Sequence, residues 1–188
     1  MSHQVAKRVF REVRDRPYAW ALSPGSHTNN CYVKGVELLQ RLGMLGYTVR
    51  GRVGENSFDR RLPERIRRLH PGEFLLTHFW VEVLLDEQWL ILDASYDSAL
   101  SHAGFPVREW GDNAPCFNIN RVYTQPEAIS HQMKWSDEVF LRRYYAAIAA
   151  FAHALNHWYE SARSCPGQVA AEGHKDDLRP SAEVDLLL

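Results

Sequence analysis

Thr77-His78-Phe79-Trp80-Val81-Glu82-Val83-Leu84-Leu85-Asp86-Glu87-Gln88-Trp89-Leu90-Ile91-Leu92-Asp93-Ala94-Ser95 reads as two β-strands folded on each other. The first strand is expected over 74–85 and the second over 89–94, with Asp86-Glu87-Gln88 at the turn. Side chains alternate along a strand. His78, Trp80, Glu82 and Leu84 therefore share one face, and Phe79, Val81, Val83 and Leu85 share the other, the expected core face. An even turn sets Leu85 opposite Gln88, Trp80 opposite Asp93 and His78 opposite Ser95. His78 and Asp93 are then diagonal neighbours on one face, with backbones roughly 7–8 Å apart. An odd turn or a bulge would break that register. Asp93 follows Trp89-Leu90-Ile91-Leu92, where a charge is costly without a partner. The plainer readings are a satisfied strand histidine and a strand-end carboxylate that caps the next turn.

Upstream of this hairpin the period changes to that of a helix over 31–45. Tyr32, Val36, Leu39 and Leu42 recur at three and four, with Gly35 and Gly43 on the same side to allow close approach. Ser26, Thr28, Asn29 and Asn30 are candidate caps, and Gly46 is the stop. Cys31 thus opens a helix. The positive end of the helix dipole and its unpaired N–H groups favour the thiolate there. A buried structural cysteine is the alternative for Cys31 taken alone. The strictly alternating 47–53 segment predicts a strand with Tyr47, Val49 and Val53 on one face.

Further out, Val5, Val9 and Val13 predict a short amphipathic helix that Pro17 ends, and 21–30 has loop composition. The arginine-rich 54–73 stretch reads as a solvated loop with a helical turn, the alternative being a flap facing substrate. A strand is expected at 117–123, helix after Pro126, and a well-buried helix over 139–158. The domain is expected to span 1–165, with a disordered tail over 166–188.

The 188 residues suit one domain with a real core. Twenty-two basic against 23 acidic side chains leave a net charge of −1, which argues against a nucleic-acid binder. No apolar run reaches a membrane span, and 1–14 lacks the apolar stretch of a secretion signal. The three cysteines, Cys31, Cys116 and Cys165, are too few for a disulfide scaffold. A cytoplasmic protein is expected.

Cys31, His78 and Asp93 together supply a nucleophile, a base and an orienting carboxylate. The Cys31 N–H could donate to an oxyanion, and Tyr18, Trp20, Asn29 and Asn30 are candidates for a second donor. Asn30-Cys31-Tyr32-Val33-Lys34-Gly35-Val36-Glu37-Leu38-Leu39, then Thr77-His78-Phe79-Trp80-Val81-Glu82-Val83, then Trp89-Leu90-Ile91-Leu92-Asp93 resembles the transglutaminase-like core. The resemblance covers about residues 25–96. It implies an α+β, papain-like fold in which the nucleophile's helix packs on an antiparallel sheet. It also implies acyl transfer through a thioester, on a peptide, amide or ester substrate. The same three positions are similar to arylamine N-acetyltransferases, without their Arg-Gly-Gly-Arg-Cys approach. No acidic calcium-site cluster is present, and no cofactor is expected. Hydrolysis is preferred over transfer to an amine, because no second-substrate site is visible. The alternative is a catalytically silent binding module on the same fold. His153 and His157 sit at helical spacing but lack a third metal ligand, and Cys116 and Cys165 are expected to do no more than pack.

Overall fold

A computed structural model describes residues 3–26, 28–58 and 61–164. Cys165 and the expected tail over 166–188 lie outside the described residues. The chain forms α1 (Gln4–Arg14), α2 (Cys31–Met44), β1 (Val49–Asn56), α3 (Glu64–Arg67), β2 (Thr77–Leu85), β3 (Gln88–Leu92), a 3-10 segment (Ser98–Ala103), β4 (Ile119–Val122), α4 (Gln125–Lys134) and α5 (Glu138–Ser164). The strands make one antiparallel sheet in the order β3-β2-β1-β4. The mixed α+β class is as expected, and the Cys31 helix does pack on the sheet, against β2 and β1.

The hairpin register is the even one. Leu85 opposes Gln88, Leu84 opposes Trp89 and Val81 opposes Leu92. Asp86 and Glu87 alone make the turn, both in the left-handed region (φ 47° and 65°), and Gln88 already belongs to β3. Two left-handed residues match the right-handed twist of the flanking strands, which is why this turn closes the hairpin. The ladder ends at Leu92, so Asp93 lies one residue beyond β3.

Helix α2 starts and stops where its sequence signals stand. Asn30 Oδ1 accepts the Val33 N–H at 2.9 Å. At the other end Gly46 takes φ 85°, Tyr47 N–H reaches Leu42 O at 3.1 Å and Gly46 N–H reaches Gly43 O at 2.9 Å. Those bonds satisfy carbonyls that the helix end would leave bare. The buried stripe differs from the expected one. Lys34, Gly35, Leu38 and Leu42 face inward, while Tyr32 is 51% exposed. The aliphatic spacing fitted two neighbouring phases, and packing against β2 chose the one that carries a lysine. Gly35 does permit close approach: the Phe79 ring occupies the space a side chain at Gly35 or Gly51 would fill.

Two apolar clusters hold the fold. Phe10, Val13, Leu38, Leu42, Val81, Val83 and Leu92 join α1 and α2 to one sheet face. Tyr18, Leu62, Ile66, Tyr96, Leu100, Phe105, Phe151, Leu155, Trp158 and Tyr159 join α5 to α3 and the 3-10 segment. Leu62 and Ile66, from the 54–73 stretch expected to be a solvated loop, are instead buried in the cluster that α5 completes, and the first residues of that stretch, Gly54 to Asn56, belong to β1. Both faces of β2 are covered, since His78 and Trp80 are as buried as Val81 and Val83. The polar-looking face of the hairpin is an interior face. Among the described residues, no helix is long and apolar enough to cross a membrane.

Candidate active site

The site lies where the two clusters meet. Cys31, half-buried, packs against the aromatic cluster, while Leu38 and Leu42 of the same helix belong to the aliphatic one. Leu92 and Ala94 on either side of Asp93 are in the aliphatic cluster, and Tyr96 is in the aromatic one.

His78 and Asp93 are 2% and 1% exposed, and His78 Nε2 lies 2.6 Å from Asp93 Oδ2. The ring is held flat against Trp80 (centroids 5.9 Å apart) and touches Phe117 (4.3 Å). Its other nitrogen, Nδ1, is buried without a hydrogen-bond partner among the described residues. Burial alone would lower the His78 pKa. The Asp93 charge and hydrogen bond overcome it, with smaller upward contributions from the Cys31 thiol, and hold the ring well above an ordinary imidazole. Cys31 therefore lies close enough to act on the ring's charge, although no hydrogen bond joins the two.

Asp93 is saturated with donors. Oδ1 accepts from Ser95 N–H (3.1 Å) and Ser95 Oγ–H (2.6 Å), and Oδ2 accepts from the Cys116 N–H (2.7 Å) as well as facing His78. Burial would raise this carboxyl's pKa, but the His78 charge and these hydrogen bonds depress it below the usual carboxylate range. Asp93 thus caps the turn through Ser95, as the plainer reading expects, and is hydrogen-bonded to His78 as well. The expectation for Cys116 needs correcting. Its thiol is buried, pushed to a higher pKa first by burial and then by Asp93, but its backbone N–H is part of the carboxylate's cradle. A backbone donor leaves no mark on the sequence.

The candidate second donors separate. Asn30 Oδ1 is used as a helix cap. Tyr18 is buried, and its phenol is kept protonated by burial, then by the charges of Cys31 and Tyr159. Trp20 packs with Cys31 against the aromatic cluster, its ring 5.2 Å from Phe151. The segment carrying both is clamped by α5: Asn156 accepts from Trp20 N–H (2.7 Å) and donates to Trp20 O (3.0 Å). Asp97 accepts from Tyr18 N–H (2.9 Å), and Arg163 donates to Asp97 (2.7 Å) and to Tyr18 O (2.7 Å). Asn156, Asp97 and Arg163 escaped the sequence reading because nothing local links them to residue 20. Lys34 also escaped it, although Lys34, Leu38 and Leu42 share a four-residue spacing that could have revealed it.

Glu82, on the His78 face, pairs with Arg50 (2.6 Å). Among the described residues, no group of three or more His, Cys, Asp or Glu side chains could hold a metal ion. Compared with protein-family models, with curated proteins and with solved structures, the chain gives no match.

Proposed function

We propose that the chain is a cysteine acyl-transfer enzyme of the transglutaminase-like kind, with Cys31 as nucleophile, His78 as base and acid, and Asp93 as the group that orients and charges His78. The observation that carries this reading is the buried His78 ring, bonded to Asp93 through Nε2 with its Nδ1 left without a partner among the described residues, and near enough to Cys31 for that residue to act on its charge. Nδ1 takes the Cys31 proton, and the sulfur attacks the carbonyl of an amide or ester. The tetrahedral oxyanion faces the Cys31 N–H at the start of α2, where the helix dipole favours negative charge. The imidazolium returns its proton to the leaving amine or alcohol, leaving a thioester. Water, activated by His78, releases the acid; hydrolysis is the simpler outcome because it needs no second-substrate site. Papain-like architecture belongs to the same proposal.

The test is iodoacetamide alkylation from about pH 5 to 9, read residue by residue. The proposal expects Cys31 to react faster than Cys116 and Cys165 below about pH 8, and to lose that advantage in His78→Ala. Cys31 curves that superimpose in the two proteins near the free-thiol midpoint of about 8.5 would refute it and leave a silent binding module as the better reading.

A further inference from the structure

Lys34 is 0% exposed, yet among the described residues it has no ion-pair partner. Its Nζ donates to two backbone carbonyls, Arg14 O at 2.8 Å and Ser95 O at 2.7 Å. Arg14 is the last residue of α1, so its carbonyl is among those the helix leaves unpaired. Ser95 is the residue whose N–H and hydroxyl hold Asp93 Oδ1. Lys34 itself is three residues past Cys31 on α2. One side chain thus pins the nucleophile's helix to the turn that carries the acid.

A buried ammonium is an expensive way to make that link, because it is stripped of water and its hydrogen bonds go to carbonyls rather than to a carboxylate. The Lys34 pKa is lowered to about 7, above all by burial and further by Arg16 and Arg163, against the upward pull of Asp97 and Cys116. The Tyr18 ring, 6.0 Å from Nζ, closes the remaining side. An apolar residue of equal length would fill the same space at less cost. Two donors aimed at two carbonyls are what only the amine supplies, and it supplies both in either charge state.

We infer that Lys34 is a positioning residue for the Cys31–His78–Asp93 site: by holding Ser95 O it fixes the turn that keeps Asp93 against His78, in register with the α2 N-terminus. This rests on the proposed function for its catalytic meaning, but the His78–Asp93 geometry it depends on is independent of that reading.

The experiment compares wild type, Lys34→Met and Lys34→Gln as full chains. The His78 ring is titrated by NMR, its signal assigned by its loss in His78→Gln, and turnover of p-nitrophenyl acetate is followed in parallel. In folded Lys34→Met the His78 midpoint should fall by about one unit or more, because Asp93 is no longer held in place. kcat should drop about 100-fold with KM little changed, the loss expected when a reacting group is misplaced by about 1 Å. Lys34→Gln, which keeps two donors, should recover part of both. A merely structural lysine would lower the melting temperature and leave the His78 midpoint where it was, and that result overturns the inference. Failure of both variants to fold would also overturn it, making Lys34 a fold element only. If wild type neither turns over the ester nor shows fast Cys31 alkylation, the proposed enzyme falls, while the His78 titration still decides Lys34.

Discussion

Replacing Asp93 with asparagine separates the charge of this site from its shape. The amide oxygen can keep the Oδ1 position and both Ser95 bonds. An NH2 group then stands at Oδ2, facing the Cys116 N–H and His78 Nε2. His78 can accept from it only by moving its proton to Nδ1, the nitrogen that takes the Cys31 proton in the proposed mechanism. The Cys116 N–H has no such escape and stays buried without an acceptor. Turning the amide over transfers the same clash to the Ser95 N–H. One orphaned buried N–H costs about 1–3 kcal/mol, and exchanging charge-assisted for neutral bonds at Ser95 costs about 1 kcal/mol more. A loss of about 3 kcal/mol is small enough for the fold to survive it. It should appear as a urea midpoint lowered by about 1–3 M with unchanged slope. Turnover should fall about 10,000-fold, as expected for the wrong tautomer, and Cys31 alkylation should shift toward an ordinary thiol's pH profile. An Asp93→Asn protein with the wild-type alkylation profile would refute the argument, because His78 would then not depend on the Asp93 charge.

The pH dependence of stability carries a second prediction. His78, raised on folding, stabilises fully below about pH 6.5 and ceases to as pH rises through its folded value. Lys34, lowered on folding to about 7, opposes folding below that value and stops doing so above about 10.4, the unfolded lysine value. Between about pH 7 and 8.5 the two slopes oppose each other, so wild-type urea midpoints should change little; above that range Cys116, whose thiol pKa is raised on folding, adds a loss of stability with rising pH. Lys34→Met should lose stability with rising pH there and Asp93→Asn should gain it; a rising Lys34→Met curve would contradict the assignment. Asp93, depressed on folding, stabilises fully above about pH 3.9 and fails as pH falls through its folded value, which sets the acid limb. Gly35→Ala should cost about 1 kcal/mol in urea unfolding, since crowding the Phe79 ring outweighs a helix-propensity gain of about 1 kcal/mol. Glu87→Gly should gain about 0.5–1 kcal/mol by relieving its left-handed backbone, and a loss would show that the Glu87 side chain matters. Asp97→Ala should cost about 3 kcal/mol, as it strands Arg163 and the buried Tyr18 N–H together.

The local devices of this protein are legible in its residues. Alternation wrote the two strands of the hairpin, and it places His78 and Asp93 on one face on condition of an even turn. The two-residue turn at Asp86 and Glu87 meets that condition. Asn30 and Gly46 bounded the Cys31 helix by the hydrogen bonds they make with residues three and four positions away. All of these depend on neighbours along the chain, where spacing is information. The phase of α2 is different. The aliphatic pattern tolerated two faces, and contact with β2, through Phe79 over Gly35, selected the one that buries Lys34. The cradle of Asp93 also required the fold, because the Cys116 N–H is a backbone group identical in every residue but proline and is brought in from 23 positions away. The Asp97–Arg163 and Asn156 clamps join residues 66 and 136 positions apart from their partners, and no local period encodes such a pairing. Sequence singled out Cys31, His78 and Asp93; tertiary packing decided which polar groups surround them, because those partners are chosen by proximity in space and by the cost of leaving a buried donor or charge unmet.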